Sequence, residues 1–168
     1  MGPALTAKAV SPGFVSLIVY GTAQIMMDLQ PLAALTVAPA MRLHGESHTF
    51  VGALVLGMAA AVIGKYLGEW VLNVFRRKVY EKVEISWGKA LGWGVGGALL
   101  HMLMDGLVYA DMQPFWPFLG FTEANPMLRF GVTGTAMTVF CVYTGLAGLL
   151  VYGVARLVQA VARKAKHG

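Results

Sequence analysis

Leu100-His101-Met102-Leu103-Met104-Asp105 sets an imidazole and a carboxylate four residues apart in an apolar run. At 3.6 residues per turn, both side chains fall on one face of a helix, one turn apart. Ionisable groups inside such a segment are costly to bury, so they mark a site and need partners. Two upstream stretches offer them: His44-Gly45-Glu46-Ser47-His48, with the same spacing, and Asp28. Three imidazoles and two carboxylates make a donor set suited to a divalent metal. Zn²⁺ fits first, with Mn²⁺ and Fe²⁺ as alternatives. The plainer reading of each motif alone is a hydrogen bond between helices, an interfacial polar pair or a capping group.

The elements that must position these residues follow from composition. The 168-residue chain is 57% hydrophobic and 12% charged, about half the charged share of a soluble domain. Its mean hydropathy is +0.65. These values predict an all-α integral membrane protein, a single domain over 1–168 built as a bundle of four transmembrane helices. The crossings fall at about 13–29, 49–72, 89–110 and 131–154, followed by a basic tail over 155–168. Each approaches the roughly 20 residues a span requires. Residues 1–12 read as a tail. Gln30-Pro31 is expected to break the first helix, leaving 32–41 as a short re-entrant or interfacial segment. A single kinked helix from 13 to 40 is the competing reading. Gly92, Gly94, Gly96 and Gly97 predict close helix approach in the third crossing. Lys65 and Glu69 can pair or snorkel. Pro114-Phe115-Trp116-Pro117 suits a membrane–water interface, and the lone Cys141 reads as packing.

Four crossings put both termini on one side, together with Lys8, Arg76, Arg77, Lys78, Lys82, Lys89 and the basic tail. By the positive-inside rule that side is cytoplasmic. The net charge of +5 is explained the same way, and no nucleic-acid partner is implied. Asp28, His44, His48, His101 and Asp105 then all fall at the opposite end, at similar depth. Asp28 is a fifth or bridging ligand and, with Glu46, a candidate general base. Arg42 and Arg129 share that end. They are candidates for holding an anionic substrate, with headgroup contact as the plainer reading.

The residues around these ligands resemble a known family. His44-Gly45-Glu46-Ser47-His48-Thr49 is similar to the His-x-x-x-His-[Thr/Ser] motif of the YdjM-like predicted membrane-bound metal-dependent hydrolases. His101-Met102-Leu103-Met104-Asp105 resembles that family's His-x-x-x-Asp motif, and Pro114-Phe115-Trp116-Pro117 the loop after it. Met27-Asp28-Leu29-Gln30-Pro31 looks like its acidic motif, reduced from Pro-Asp-x-Asp to Asp28 alone. Gly45 stands where many relatives have arginine. The resemblance implies metal-dependent hydrolysis at the outer face of a prokaryotic plasma membrane. A site at the interface makes a lipid or lipid-linked phosphoester the natural substrate class. The reduced acidic motif favours the alternative, a non-catalytic metal-binding or structural membrane protein. An ion transporter is a further alternative, against which the site's position at one end counts.

Overall fold

The computed structural model describes residues 2–10, 16–75, 82–119 and 124–167. Arg76, Arg77 and Lys78 of the expected basic loop lie outside the described residues, as do the side chains of Arg163, Lys164 and Lys166. The described chain is all-helical: α1 (Gly2–Val10), α2 (Leu17–Thr36), α3 (Phe50–Phe75), α4 (Trp87–Gly106) and α5 (Gly134–His167). Two 3₁₀ turns, Glu46–His48 and Pro126–Phe130, precede α3 and α5. Among the described residues, two helices are long and apolar enough to cross a membrane, α3 and the Gly134–Val158 part of α5. The shorter α2 and α4 carry Asp28, His101 and Asp105.

Helices α2, α3 and α4 pack together, and α1 lies along α5. The packing is inverted relative to a water-soluble core. Small residues face inward: Ala53, Gly57, Ala60, Ala61, Gly64 and Gly68 of α3, and Ala90, Gly94, Gly97 and Ala98 of α4. Large apolar side chains such as Ile25, Leu35, Ile63, Trp70, Tyr143 and Leu150 face outward. In water such a surface is a liability. In lipid it is the expected arrangement, because helices there associate by close backbone approach rather than by burying large side chains.

Glycine in α4 is divided by face. A Cβ on Gly94 would come within 2.6 Å of the Gly57 carbonyl oxygen, and one on Gly57 within 2.7 Å of the Val95 Cα. Gly97 has Tyr20 of α2 at 3.0 Å. Gly92 and Gly96 have nothing within 4 Å of that position. The close approach read from sequence therefore belongs to two of the four glycines.

Three expectations are corrected. Gln30-Pro31 does not break the first helix: α2 runs through Pro31 to Thr36, so 32–41 holds no separate re-entrant segment and the kinked-helix reading is nearer. Proline there forfeits only the bond to the Met27 carbonyl. The following turn closes normally, with the Val37 and Ala38 amides donating to the Ala33 oxygen. Residues 2–10 are a helix rather than a tail, tied to α5 by the Thr6 hydroxyl donating to the Thr144 carbonyl at 2.6 Å. Gly2 also lines a cavity with Asp105, at the end opposite to that expected for the amino terminus. Lys8, at the far end of α1, is near enough to Lys89 for their charges to interact.

The other end is closed by side chains standing in for a β-ladder. The Glu69 carboxylate accepts from the Ile85 amide at 2.8 Å and pairs with Lys65, whose ammonium donates to the Ile85 carbonyl at 2.8 Å. Asn73, one turn on, accepts from the Val83 amide at 2.7 Å and donates to its carbonyl at 3.2 Å. One face of α3 thus holds the segment leading into α4.

The two glycine faces give opposite outcomes. Gly94→Ala is expected to lower stability by about 1–3 kcal/mol, because the added methyl meets backbone that cannot move aside. Gly96→Ala should raise it by about 0.5–1 kcal/mol through helix propensity. Thermal unfolding of the two variants in detergent measures the difference.

Candidate metal centre

Four segments deliver the site. Helix α2 carries Gln24 and Asp28 one turn apart. The loop and 3₁₀ turn before α3 carry His44, Ser47 and His48. The last turns of α4 carry His101 and Asp105, and Asp111 follows in the next loop. His44 and His48 share the spacing of the His101–Asp105 pair but not its helix, since the backbone over 41–45 is turn and coil. Their rings still meet, with centroids 5.0 Å apart, and His48 lies 5.3 Å from His101.

Local bonding holds these segments in place. Thr49 opens α3 by accepting from the Gly52 amide at 2.9 Å while its hydroxyl donates to the Glu46 carbonyl at 2.8 Å. The Phe50 amide donates to the Pro114 carbonyl at 2.7 Å, joining the proline-aromatic loop to the histidine turn. Buried Asn125 closes α4 by donating to the Gly106 and Tyr109 carbonyls at 2.7 and 2.9 Å. Gln30 of α2 accepts from the Ser47 amide at 2.9 Å. A Cβ at position 45 would fall 2.0 Å from the Gln30 side-chain nitrogen. Gly45 thus leaves the space that Gln30 fills.

Each imidazole is held at its Nδ1. His44 Nδ1 lies 3.0 Å from both oxygens of Asp111, and its backbone amide donates to Asp111 Oδ2 at 3.2 Å. Its ring stacks on Tyr109 at 4.4 Å. His48 Nδ1 is 2.8 Å from the Ser47 hydroxyl. His101 Nδ1 is 3.0 Å from Gln24 Oε1. The Gln24 amide is fixed by its other end, where Nε2 donates to the Gly97 carbonyl at 3.1 Å. A carbonyl only accepts, so Oε1 faces the ring and His101 Nδ1 must carry the proton. Asp111 imposes the same tautomer on His44.

The Nε2 atoms of His44 and His101 then carry lone pairs, while the Ser47 hydroxyl, able to donate or accept, allows either tautomer of His48. His101 Nε2 is 3.1 Å from Asp105 Oδ2 and 3.3 Å from Asp28 Oδ1. His48 Nε2 is 3.5 Å from the same Asp105 oxygen. His48 is fully buried, and its Nε2 has no hydrogen-bond partner among the described residues. Donor atoms of Asp28, His48 and His101 lie within 4.8 Å of one another, as do those of His44, His48 and Asp105. Four donors about 2.0–2.2 Å from one ion stand about 3.3–3.6 Å apart at tetrahedral angles. The spacings around Asp105 and His101 are of that size. Donor type, tautomer and the unpartnered nitrogen all fit a divalent cation.

The structure thus gathers the five sequence-derived ligands Asp28, His44, His48, His101 and Asp105 at one end. It leaves Glu46 outside the donor groups. Glu46 is exposed and accepts from Gln30 Nε2 at 3.2 Å, which turns it away from the imidazoles. Arg42 and Arg129 are exposed, Arg129 lying against the Phe130 ring at 5.3 Å. Gln24, Ser47 and Asp111 were not anticipated. Gln24 carried a usable signal, a polar residue one turn before Asp28 in an apolar helix. Asp111 carried none beyond its charge. No family model, curated protein or solved structure matches this chain.

Removing the outer partners tests the arrangement without touching a ligand. Asp111→Ala and Gln24→Ala should each weaken Zn²⁺ binding about 10–100-fold, measured by competition with a chromogenic chelator.

Proposed function

We propose that the chain is a membrane-embedded metal-dependent hydrolase that acts on a phosphoester, lipid or lipid-linked, at the non-cytoplasmic interface. The observation that carries this reading is the convergence of three Nδ1-anchored imidazoles on Asp105, a pattern that orients ligands for a metal. The motifs resembling the YdjM-like hydrolases, far apart in sequence, meet at this point. Zn²⁺ is the favoured ion for a nitrogen-rich set. We read α2 and α4 as crossings beside α3 and α5, with their polar residues facing inward among neighbours, as intramembrane polar groups do. Lys8, Lys82 and Lys89 at the end remote from the site support a cytoplasmic assignment for that end, here of a prokaryotic plasma membrane.

A divalent ion in this site supplies Lewis-acid polarisation of the scissile group and a coordinated water acidic enough to deprotonate near neutral pH. The protein does the rest. His44, His48, His101 and Asp105 hold the donor set rigid through Asp111, Ser47 and Gln24. Asp28 is the general base: its side chain is 58% exposed, so one edge reaches the rim while Oδ1 stays beside His101. Glu46, engaged by Gln30, is the lesser candidate. Arg42 and Arg129 at the same end are placed to attract a phosphate before it enters. A second reading, metal binding without turnover, is favoured by the engagement of Glu46, which leaves one carboxylate for proton transfer.

The purified chain should carry metal and hydrolyse a generic phosphoester such as phenyl phosphate when supplied with Zn²⁺ or Mn²⁺. His101→Ala should lose the metal and turnover while keeping its helical circular dichroism. Metal without turnover on any phosphoester favours the second reading. Equal metal in the wild-type chain and the variant overturns both.

A further inference from the structure

Two cavities lie beside the metal centre. The first, about 440 Å³, is bounded by Asp105, Tyr109 and Thr138 on its polar side and by Val108, Met137 and Val142 on its apolar side. The second, about 280 Å³, is walled by apolar side chains including Leu100, Met104, Leu107 and Phe140. Met137 belongs to both. The crevice they make between α4 and α5, beside Gly2 and Pro3 at the start of α1, has a ligand carboxylate in its first part and apolar walls in its second. Its α5 wall opens outward: Phe140 is half exposed, and the neighbouring Val139 and Tyr143 face the surroundings. Among the described residues α5 packs chiefly along α1, so the α4–α5 side is not sealed by helix contact.

We propose that this crevice holds one hydrocarbon chain of a lipid phosphoester, with its headgroup at Asp105 and its chain past Met137 along Met104 and Phe140. The proposal rests on the hydrolase reading for its headgroup chemistry and narrows that reading to substrates bearing a long chain. The polarity gradient selects the occupant. A soluble phosphoester gains nothing from an apolar extension, whereas each buried methylene of a chain contributes favourably. A lipid also reaches the crevice sideways, without leaving the bilayer.

The test uses the full chain, Zn²⁺-loaded, in phosphatidylcholine nanodiscs containing a phosphatidic acid with a diazirine midway along one acyl chain. Photolabelling should concentrate in residues 100–107 and 132–142. It should fall about tenfold when Met137→Trp fills the shared wall, with metal content unchanged. Excess unlabelled phosphatidic acid should displace the label from the wild-type chain, so the result does not depend on the variant folding. Label spread evenly over the outward faces of α3 and α5, or not displaced by excess lipid, overturns the proposal. Turnover separates it from the reading beneath it. If the wild-type chain hydrolyses both long-chain phosphatidic acid and phenyl phosphate, Ala136→Trp, at a residue that lines the second cavity and not the first, should lower kcat/KM about tenfold for the former alone. Equal loss on both substrates, or on neither, overturns the chain site while leaving the hydrolase standing. Concentrated, displaceable labelling without any turnover sustains the chain site and sinks the hydrolase.

Discussion

A lone pair facing two carboxylates is unstable without a cation between them. That is the condition of His101 Nε2, once Gln24 has forced the proton onto Nδ1. One proton on Nε2 would answer Asp105, while the fully buried His48 Nε2, 3.5 Å from the same oxygen, has no hydrogen-bond partner among the described residues. An unsatisfied buried polar atom costs about 1–3 kcal/mol. A divalent ion would answer the His101 lone pair and both carboxylates at once. The parts of the fold that hold those groups in place are therefore arranged around a positive charge.

The helix end adds to that preference. His101 and Asp105 stand in the last turns of α4, where aligned peptide dipoles give partial negative charge and favour cations. Asn125 takes up the Gly106 and Tyr109 carbonyls, so these oxygens stay out of the donor set. Reach is set by the glycines. Gly94 against Gly57 brings α4 onto α3, and Gly97 beside Tyr20 brings it onto α2. Only at that separation can Gln24 touch both the Gly97 carbonyl and the His101 ring. A bulky residue at these contacts would part the imidazoles as well as the helices.

The sequence made some of this legible and hid the rest, for physical reasons. Helical periodicity turns the spacing of His101 and Asp105 into a shared face, and hydropathy marks α3 and α5 as long apolar helices. Topology alone brought Asp28, the two upstream histidines and the α4 pair to one end. Spacing misled for His44 and His48, which meet through a 3₁₀ turn and coil instead of a helix. Pro31 misled because a missing amide weakens a helix without having to end it. Residues 2–10 are too short to register as an apolar span, and only their packing on α5 makes them an element. Ser47 and Asp111 act through hydrogen bonds to the neighbouring imidazoles, a relation that no sequence interval encodes.

Rigidity around the ligands also explains how one end of the bundle can bind and the other only support. At the far end Lys65, Glu69 and Asn73 are satisfied by backbone groups of Val83 and Ile85 and by one another, so nothing there asks for a further partner. At the near end the polar groups are satisfied on their outer side and left open on their inner side. The contrast separates a latch from a site better than residue type does, because both clusters mix acid, base and amide. A metal that binds the folded chain and not the unfolded one must also stabilise it by mass action. Helices α2 and α4, joined at this end by Gln24 and the inward donors, are the elements whose docking that stabilisation would reach first.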